Sequence, residues 1–212
     1  MLTAIVDYEA GNLHSAEKAF QRMAAETDAG QVVVTDQAEV VARADRIVLP
    51  GDGAFPACMS ELKGHKGIFE AMVEAVTQRG RPFLGICVGM QLMATRGLEY
   101  SETAGLDWIG GEVDHIRPSD AGLKVPHMGW NDLVLRGAHP VFDGIATGDH
   151  AYFVHSYQFR TTDPSETLAD VDYGGPVTAV VGRDTMIGTQ FHPEKSHATG
   201  LRLIANFLNW KP

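Results

Sequence analysis

The first hundred residues alternate between short apolar or β-branched runs and amphipathic stretches, and that alternation leaves few folds open. Residues 2–7 read as an apolar strand, after which Leu13, Ala16, Phe20 and Met23 recur at helical spacing. Residues 31–35 (Q-V-V-V-T) form a β-branched strand, with Asp36 as the expected cap of a short helix. A third strand, 46–49, runs straight into Pro50-Gly51-Asp52-Gly53. A helix over 67–79 carries Phe69, Met72, Val73 and Val76 and stops at Gly80. A fourth strand follows at Phe83, Leu84 and Ile86, with Pro82 tolerated at its start. Strand–helix alternation predicts a parallel sheet with helices on both faces, and ligands of such sheets lie at the carboxyl ends of the strands. Asn12, the 50–53 turn and Cys87 all follow strands, so they converge on one edge.

The second half changes character. Residues 109–116, 125–135, 151–160, 167–173, 177–181 and 186–191 are strand-like, separated by turns with little helix. Consecutive strands imply antiparallel hairpins, either beside the parallel sheet or extending it. A helix over 196–210 closes the chain, with Leu201, Ile204, Phe207 and Leu208 as its apolar stripe. The fold class expected is therefore α/β. It is an open mixed sheet, mostly parallel with flanking helices in the N-terminal half and with added antiparallel strands in the C-terminal half. At 212 residues, one domain over 1–212 is the simplest organisation, with two small lobes as the alternative.

A formal net charge of −10 disfavours nucleic acid and anionic membrane surfaces as partners. No apolar run reaches the length of a membrane span, and M-L-T-A-I-V-D-Y lacks the charged-then-apolar pattern of a secretory leader. Two cysteines, Cys58 and Cys87, make no disulfide framework in a chain this long, so a reduced, cytoplasmic setting is expected. Without C-x-x-C or H-E-x-x-H, no metal site is expected, and without a Walker A or G-x-G-x-x-G sequence, Gly51-Asp52-Gly53 lends little weight to a phosphate site. No cofactor is expected.

The chemistry centres on Gly85-Ile86-Cys87-Val88-Gly89, a cysteine version of the G-x-S-x-G nucleophile elbow between a strand and a helix expected over 90–95. A cysteine at a helix N-terminus favours the thiolate, whereas the plainer reading is a buried, inert thiol. A nucleophile needs a base, and the base needs an orienting group. Of nine histidines, His14, His65, His115, His139, His150 and His197 fall on expected surfaces or turns. His192 instead ends a strand and opens His192-Pro193-Glu194. Pro193 pushes the residue before it toward an extended conformation, which places imidazole and carboxylate side by side. Taken alone, H-P-E reads as a turn with a surface Glu; combined with the cysteine elbow, it makes Cys87, His192 and Glu194 the expected catalytic triad. An acyl-transfer oxyanion needs N–H donors, which the backbone of Val88 and of the 50–53 turn, at Asp52, can supply. A tight turn with no other role is the alternative there.

G-I-C-V-G-M-Q with a downstream H-P-E resembles the class I, triad-type glutamine amidotransferases, which hydrolyse the glutamine side-chain amide through a glutamyl thioester. Residues 7–15 (D-Y-E-A-G-N-L-H-S), 124–131 (K-V-P-H-M-G-W-N), 152–157 (Y-F-V-H-S-Y) and 188–196 (G-T-Q-F-H-P-E-K-S) narrow the resemblance. They look like the glutaminase subunits of imidazole glycerol phosphate synthases, in histidine biosynthesis. The resemblance spans essentially the whole chain and implies a flavodoxin-like fold, L-glutamine as substrate and a (β/α)₈-barrel cyclase as partner in a heterodimer. It further implies that Gln91, Ser156, Tyr157 and Glu99 bind glutamine. Asn12, Trp130, Tyr152 and Lys195 match positions near the interface across which ammonia passes. Taken alone, Gln91 reads as a solvated helix residue, Tyr157 as a half-buried strand aromatic, and Trp130 and Tyr152 equally as core packing. A glutaminase serving anthranilate or pyridoxal phosphate synthesis, and a regulatory subunit without a thioester, are the alternatives. Two positions depart from the family pattern: Asp52 stands where P-G-V-G has Val, and Glu9 where the first turn commonly has Gly. The Asp52 carboxylate must point away from a developing oxyanion for the turn to work.

Overall fold

The computed structural model describes residues 1–11 and 13–212. Asn12, expected near a partner interface, lies outside the described residues. In chain order the first half contains β1 (Leu2–Val6), α1 (Leu13–Thr27), β2 (Gln31–Thr35), α2 (Ala38–Arg43), β3 (Arg46–Gly51), α3 (Phe55–Gly64), α4 (Ile68–Val73), β4 (Phe83–Cys87) and α5 (Val88–Gln91). The second half contains β5 (Arg96–Gly97), β6 (Thr103–Ala104), β7 (Gly111–His115), β8 (His127–Asp132), β9 (Val134–Leu135), β10 (His150–His155), β11 (Tyr157–Thr161), β12 (Thr167–Asp172), β13 (Pro176–Arg183), β14 (Met186–Thr189) and α6 (His197–Asn209).

Eight strands make the main sheet in the order β2-β1-β3-β4-β14-β13-β12-β9. The β2-β1-β3-β4-β14 portion is parallel, and β13, β12 and β9 extend it antiparallel. Both outcomes left open for the second half occur, because β10-β8 and β11-β7-β5-β6 form separate sheets. The central strands are buried along their length, as expected of parallel strands covered on both faces. On one side α1 and α6 pack together. There the buried Arg46 caps α6, its guanidinium donating to the carbonyls of Phe207 (3.2 Å) and Trp210 (2.8 Å). Among the described residues, no helix is long and apolar enough to cross a membrane.

Several expectations change in detail. Asp36 does not cap α2: the N-cap position is Gln37, and the Gln37 N–H is taken by Thr35 Oγ1 at 3.1 Å. The 67–79 helix is α-helical only to Val73 and then widens into a π turn over Glu74–Gln78. Residues 55–64, left unassigned in the sequence, are helical, with Pro56 in the first turn where its missing N–H costs nothing. The helix expected over 90–95 is a single turn, α5. It stops there because 105–109 recruit the backbone carbonyls that follow: Leu106 N–H donates to Leu92, Trp108 to Met93 and Gly105 to Thr95. The 151–160 strand breaks at Ser156 into β10 and β11, which belong to different sheets. Glu9 has φ 67°, in the left-handed region where glycine is unstrained, which accounts for the glycine usual in that turn.

Candidate active site

Strands β3, β4 and β14 are neighbours in the sheet, and their carboxyl ends carry the 50–53 turn, Cys87 and His192 respectively. The geometry begins with the elbow. Cys87 has φ 55° and ψ −112°, a conformation that side-chain-bearing residues rarely adopt. The flanking glycines are required by close approach. A Cβ on Gly85 would lie 2.6 Å from the Gly89 carbonyl oxygen, and one on Gly89 would lie 1.8 Å from that of Leu49. The elbow is thus pressed against β3 with no room for a side chain on either side of Cys87.

His192 is extended, at φ −93° and ψ 100°, as a residue before proline should be. Its backbone is tied down twice: its N–H donates to the Tyr152 carbonyl at 3.1 Å, and its own carbonyl accepts from Ser196 Oγ at 2.7 Å. A 3₁₀ turn over Pro193–Lys195 brings Glu194 back, so that Glu194 Oε1 lies 2.9 Å from His192 Nδ1. The Cys87 sulfur also interacts with the ring. Burial by itself disfavours the imidazolium, yet the sulfur and the carboxylate lift the His192 pKa to about 10. Glu194 Oε2 is buried and has no hydrogen-bond partner among the described residues, so the imidazolium is the main compensation for that carboxylate's charge. The three expected catalytic side chains therefore meet in one cluster.

In the 50–53 turn, Gly51 is the register partner of Cys87 across β3 and β4, which sets the turn alongside the elbow and Val88. Tyr8, fully buried, donates its hydroxyl to the Pro50 carbonyl at 2.8 Å, and Cys58 Sγ lies 3.6 Å from the Asp52 carbonyl. Two carbonyls of the turn are thereby held from behind. Burial pushes the Cys58 thiol up to about 11, so this second cysteine stays protonated and poorly nucleophilic. The Asp52 side chain is exposed and lines a different hollow, with Glu9 and Glu61.

A pocket of about 300 Å³ opens over Cys87, lined by Gly53, Val88, Gln91, Glu99, His155, Ser156 and Tyr157 among others. The four residues expected around glutamine are therefore all present at it. Gln91 is buried, contrary to a solvated helix residue; its Nε2 donates to Gln190 Oε1 (3.0 Å) and the Tyr157 carbonyl (3.3 Å). Glu99 also accepts the Phe55 N–H at 2.8 Å through Oε2, where the first turn of α3 needs an acceptor. Gln190, whose Nε2 lies 3.7 Å from Cys87 Sγ, and His155 were not singled out in the sequence. Both sit inside stretches that carry the family resemblance, and only cross-strand register brings them to the sulfur. Of the expected interface residues, Trp130 and Tyr152 are register partners with rings 5.8 Å apart, and Trp130 is exposed rather than core. Lys195 lies in the turn that ends at Ser196, whose Oγ accepts the Tyr152 N–H at 2.9 Å.

The family description "Glutamine amidotransferase class-I" matches residues 4–210. A curated relative from Ruegeria pomeroyi, imidazole glycerol phosphate synthase subunit HisH, is 76% identical over 212 residues, covering 100% of both chains. The protein of the same name from Cereibacter sphaeroides is 70% identical, again over 100% of both. Among solved structures, a glutamine amidotransferase superposes with a TM-score of 0.72 at 18% identity, covering 98% of this chain and 99% of that one. The glutaminase domain of Trypanosoma brucei CTPS gives 0.63 at 15% identity, covering 98% and 93%. At those identities the structures speak for the fold.

Proposed function

This chain belongs to the class-I glutamine amidotransferases, and on that footing we propose that it is the glutaminase subunit of an imidazole glycerol phosphate synthase. It hydrolyses glutamine and passes the ammonia to a (β/α)₈-barrel cyclase subunit. The pair forms imidazole glycerol phosphate and aminoimidazole carboxamide ribotide in histidine biosynthesis. The observation that carries this reading is His192 interacting with both Cys87 and Glu194, with Cys87 itself lining a pocket.

The chemistry follows from that cluster of three groups. Cys87 Sγ attacks the side-chain amide carbon, and the carbonyl π electrons move to oxygen, where the Val88 and Asp52 backbone N–H groups stabilise them. His192 gives its proton to the amide nitrogen, the C–N bond breaks, and ammonia leaves a glutamyl thioester. Water then attacks the thioester carbon while His192 takes its proton; the C–S bond breaks and glutamate departs. Glu194 keeps the ring's other N–H pointed at itself and offsets the imidazolium charge. Gln91 and the backbone at Ser156 and Tyr157 hold the substrate, with the Glu99 carboxylate set to meet its ammonium.

Ammonia in bulk water is largely protonated and is then no nucleophile, so it needs a closed path to the cyclase. Trp130, half-exposed and stacked on His197, lies beside Tyr152, whose carbonyl accepts the His192 N–H, and aromatic anchors suit a partner contact there with Lys195 in the turn after His192. A reduced cytoplasmic setting suits the free thiols. The test is Cys87→Ala in complex with the cyclase: glutamine-dependent cyclisation should vanish while cyclisation driven by ammonium salts persists. Loss of both activities would contradict the division of labour. Co-purification with a synthase other than the barrel cyclase would contradict the pathway.

A further inference from the structure

Two buried histidines take no part in the chemistry above: His127, which opens β8, and His155, which closes β10. They are register partners and lie 2% and 6% exposed. Asn131 Nδ2 lies 3.2 Å from His127 Nε2, His127 Nδ1 lies 2.9 Å from His155 Nε2, and His155 Nδ1 lies 2.8 Å from the Tyr157 carbonyl oxygen.

The proton positions in this chain have one solution. The Asn131 amide is fixed in orientation, since Nδ2 also donates to the Asp172 carbonyl (2.9 Å) and Oδ1 accepts the Asp132 N–H (2.8 Å). His127 Nε2 must therefore accept, and the His127 proton sits on Nδ1 and goes to His155 Nε2. The His155 proton then sits on its own Nδ1 and goes to the Tyr157 carbonyl, which can only accept. Both rings are neutral, and burial keeps them so, lowering His127 to about 4 and His155 to about 3. The His127 ring is also held by stacking, with its centroid 4.1 Å from that of Tyr173 and 4.8 Å from that of Phe153.

The far end of the chain is the glutamine site. The carbonyl that receives the His155 proton also receives Gln91 Nε2, which donates in turn to Gln190 beside Cys87. One oxygen thus joins the histidine relay to the polar groups around the nucleophile. We propose that Asn131, His127 and His155 are positioning residues for glutamine: their one-way relay fixes the Tyr157 carbonyl, and through it sets Gln91 and Gln190 against Cys87. This rests on the glutaminase reading. It requires neutrality as well as shape, because a protonated His155 would donate from both nitrogens, break its bond to His127 and set a second cation near His192.

Glutamine turnover in complex with the cyclase tests it, using three variants. His127→Leu removes both relay bonds, whereas His127→Gln can accept from Asn131 and donate to His155. Asn131→Asp is nearly isosteric and half-buried, and it presents an acceptor where the relay needs a donor. His127→Leu and Asn131→Asp should raise the KM for glutamine about tenfold, with a smaller change in kcat, as expected for one mis-satisfied buried hydrogen bond. His127→Gln should return KM to within about threefold of wild type. Alkylation of Cys87 by iodoacetamide needs no glutamine site and leans on His192 more than on the long Gln190 contact, so it should stay within about threefold of wild type in all three. An unmoved KM in Asn131→Asp, equal KM increases in His127→Gln and His127→Leu, or a parallel fall in alkylation would overturn the proposal while the glutaminase reading stands. A wild-type complex that turns over no glutamine would overturn that reading and the relay's role with it.

Discussion

If the strained elbow is part of the mechanism, replacing Cys87 by glycine should relieve a cost that replacement by alanine leaves in place. Cys87 sits at φ 55° and ψ −112°; changing both signs gives an ordinary extended conformation. For achiral glycine the two are equivalent, whereas a residue with a Cβ is strained by about 1–3 kcal/mol in such a sparsely populated region. Cys87→Ala and Cys87→Gly both lose the thiol, so that loss cancels between them. The step from Ala to Gly then loses one buried methyl, about 0.8 kcal/mol, and adds unfolded-state entropy, about 0.4–1 kcal/mol. It gains the released strain. At Ala4, fully buried in the ordinary strand β1, the same Ala-to-Gly step has the losses and no gain. Urea or thermal unfolding of Cys87→Ala, Cys87→Gly, Ala4→Gly and wild type gives both steps. The Ala-to-Gly step should be more favourable at 87 than at 4 by about 1–3 kcal/mol, and each kcal/mol moves Tm by about 2–4 °C in a chain this long. Equal costs at the two positions would refute the idea that the backbone stores strain at the nucleophile.

In glutamine hydrolysis Glu194→Gln should lose roughly ten- to a hundredfold less than His192→Ala, since the carboxylate orients the ring and the ring moves the proton; kcat of the two variants in complex decides, and the reverse order would undercut the triad. The raised His192 pKa contributes stability that is fully present below the unfolded value near 6.5 and is lost as pH rises through about 10. Wild type should therefore lose more stability than His192→Ala across that window, as read from urea midpoints. For His127 the sign is opposite. Its lowered folded pKa means that stability present above about 6.5 is lost as pH falls toward about 4, so His127→Gln should flatten the acid limb by up to about 1.4 kcal/mol per pH unit.

What was legible in the sequence was what short stretches constrain. The G-x-C-x-G elbow needs glycines because a Cβ at Gly85 or Gly89 would strike backbone, and H-P-E carries its own geometry through Pro193. Gln91, Glu99, Ser156 and Tyr157 were placed by resemblance, and the pocket lining accords with that placement. The residues that escaped notice depend on pairings distant in sequence. Tyr8 reaches Pro50 across 42 positions and Gln190 meets Gln91 across 99; the second contact of Glu99, to the first turn of α3, likewise spans 44. His127 and His155 lie 28 positions apart at the ends of their strands, and nothing local links them until β8 and β10 pair. The helix beyond Gln91 stops for a similar reason: Leu92, Met93 and Ala94 are good helix formers, but residues 105–109 compete for the carbonyls of 92–95 and win.

The account depends on a covalent step at one sulfur. Acid quenching of the complex during glutamine turnover, followed by mass spectrometry of its proteolytic peptides, reads that step directly. A glutamyl group should appear on the peptide that carries Cys87, disappear in Cys87→Ala, and be absent from the peptide that carries Cys58. Sustained glutamine hydrolysis with the adduct on Cys58, or undiminished hydrolysis by Cys87→Ala, would contradict it.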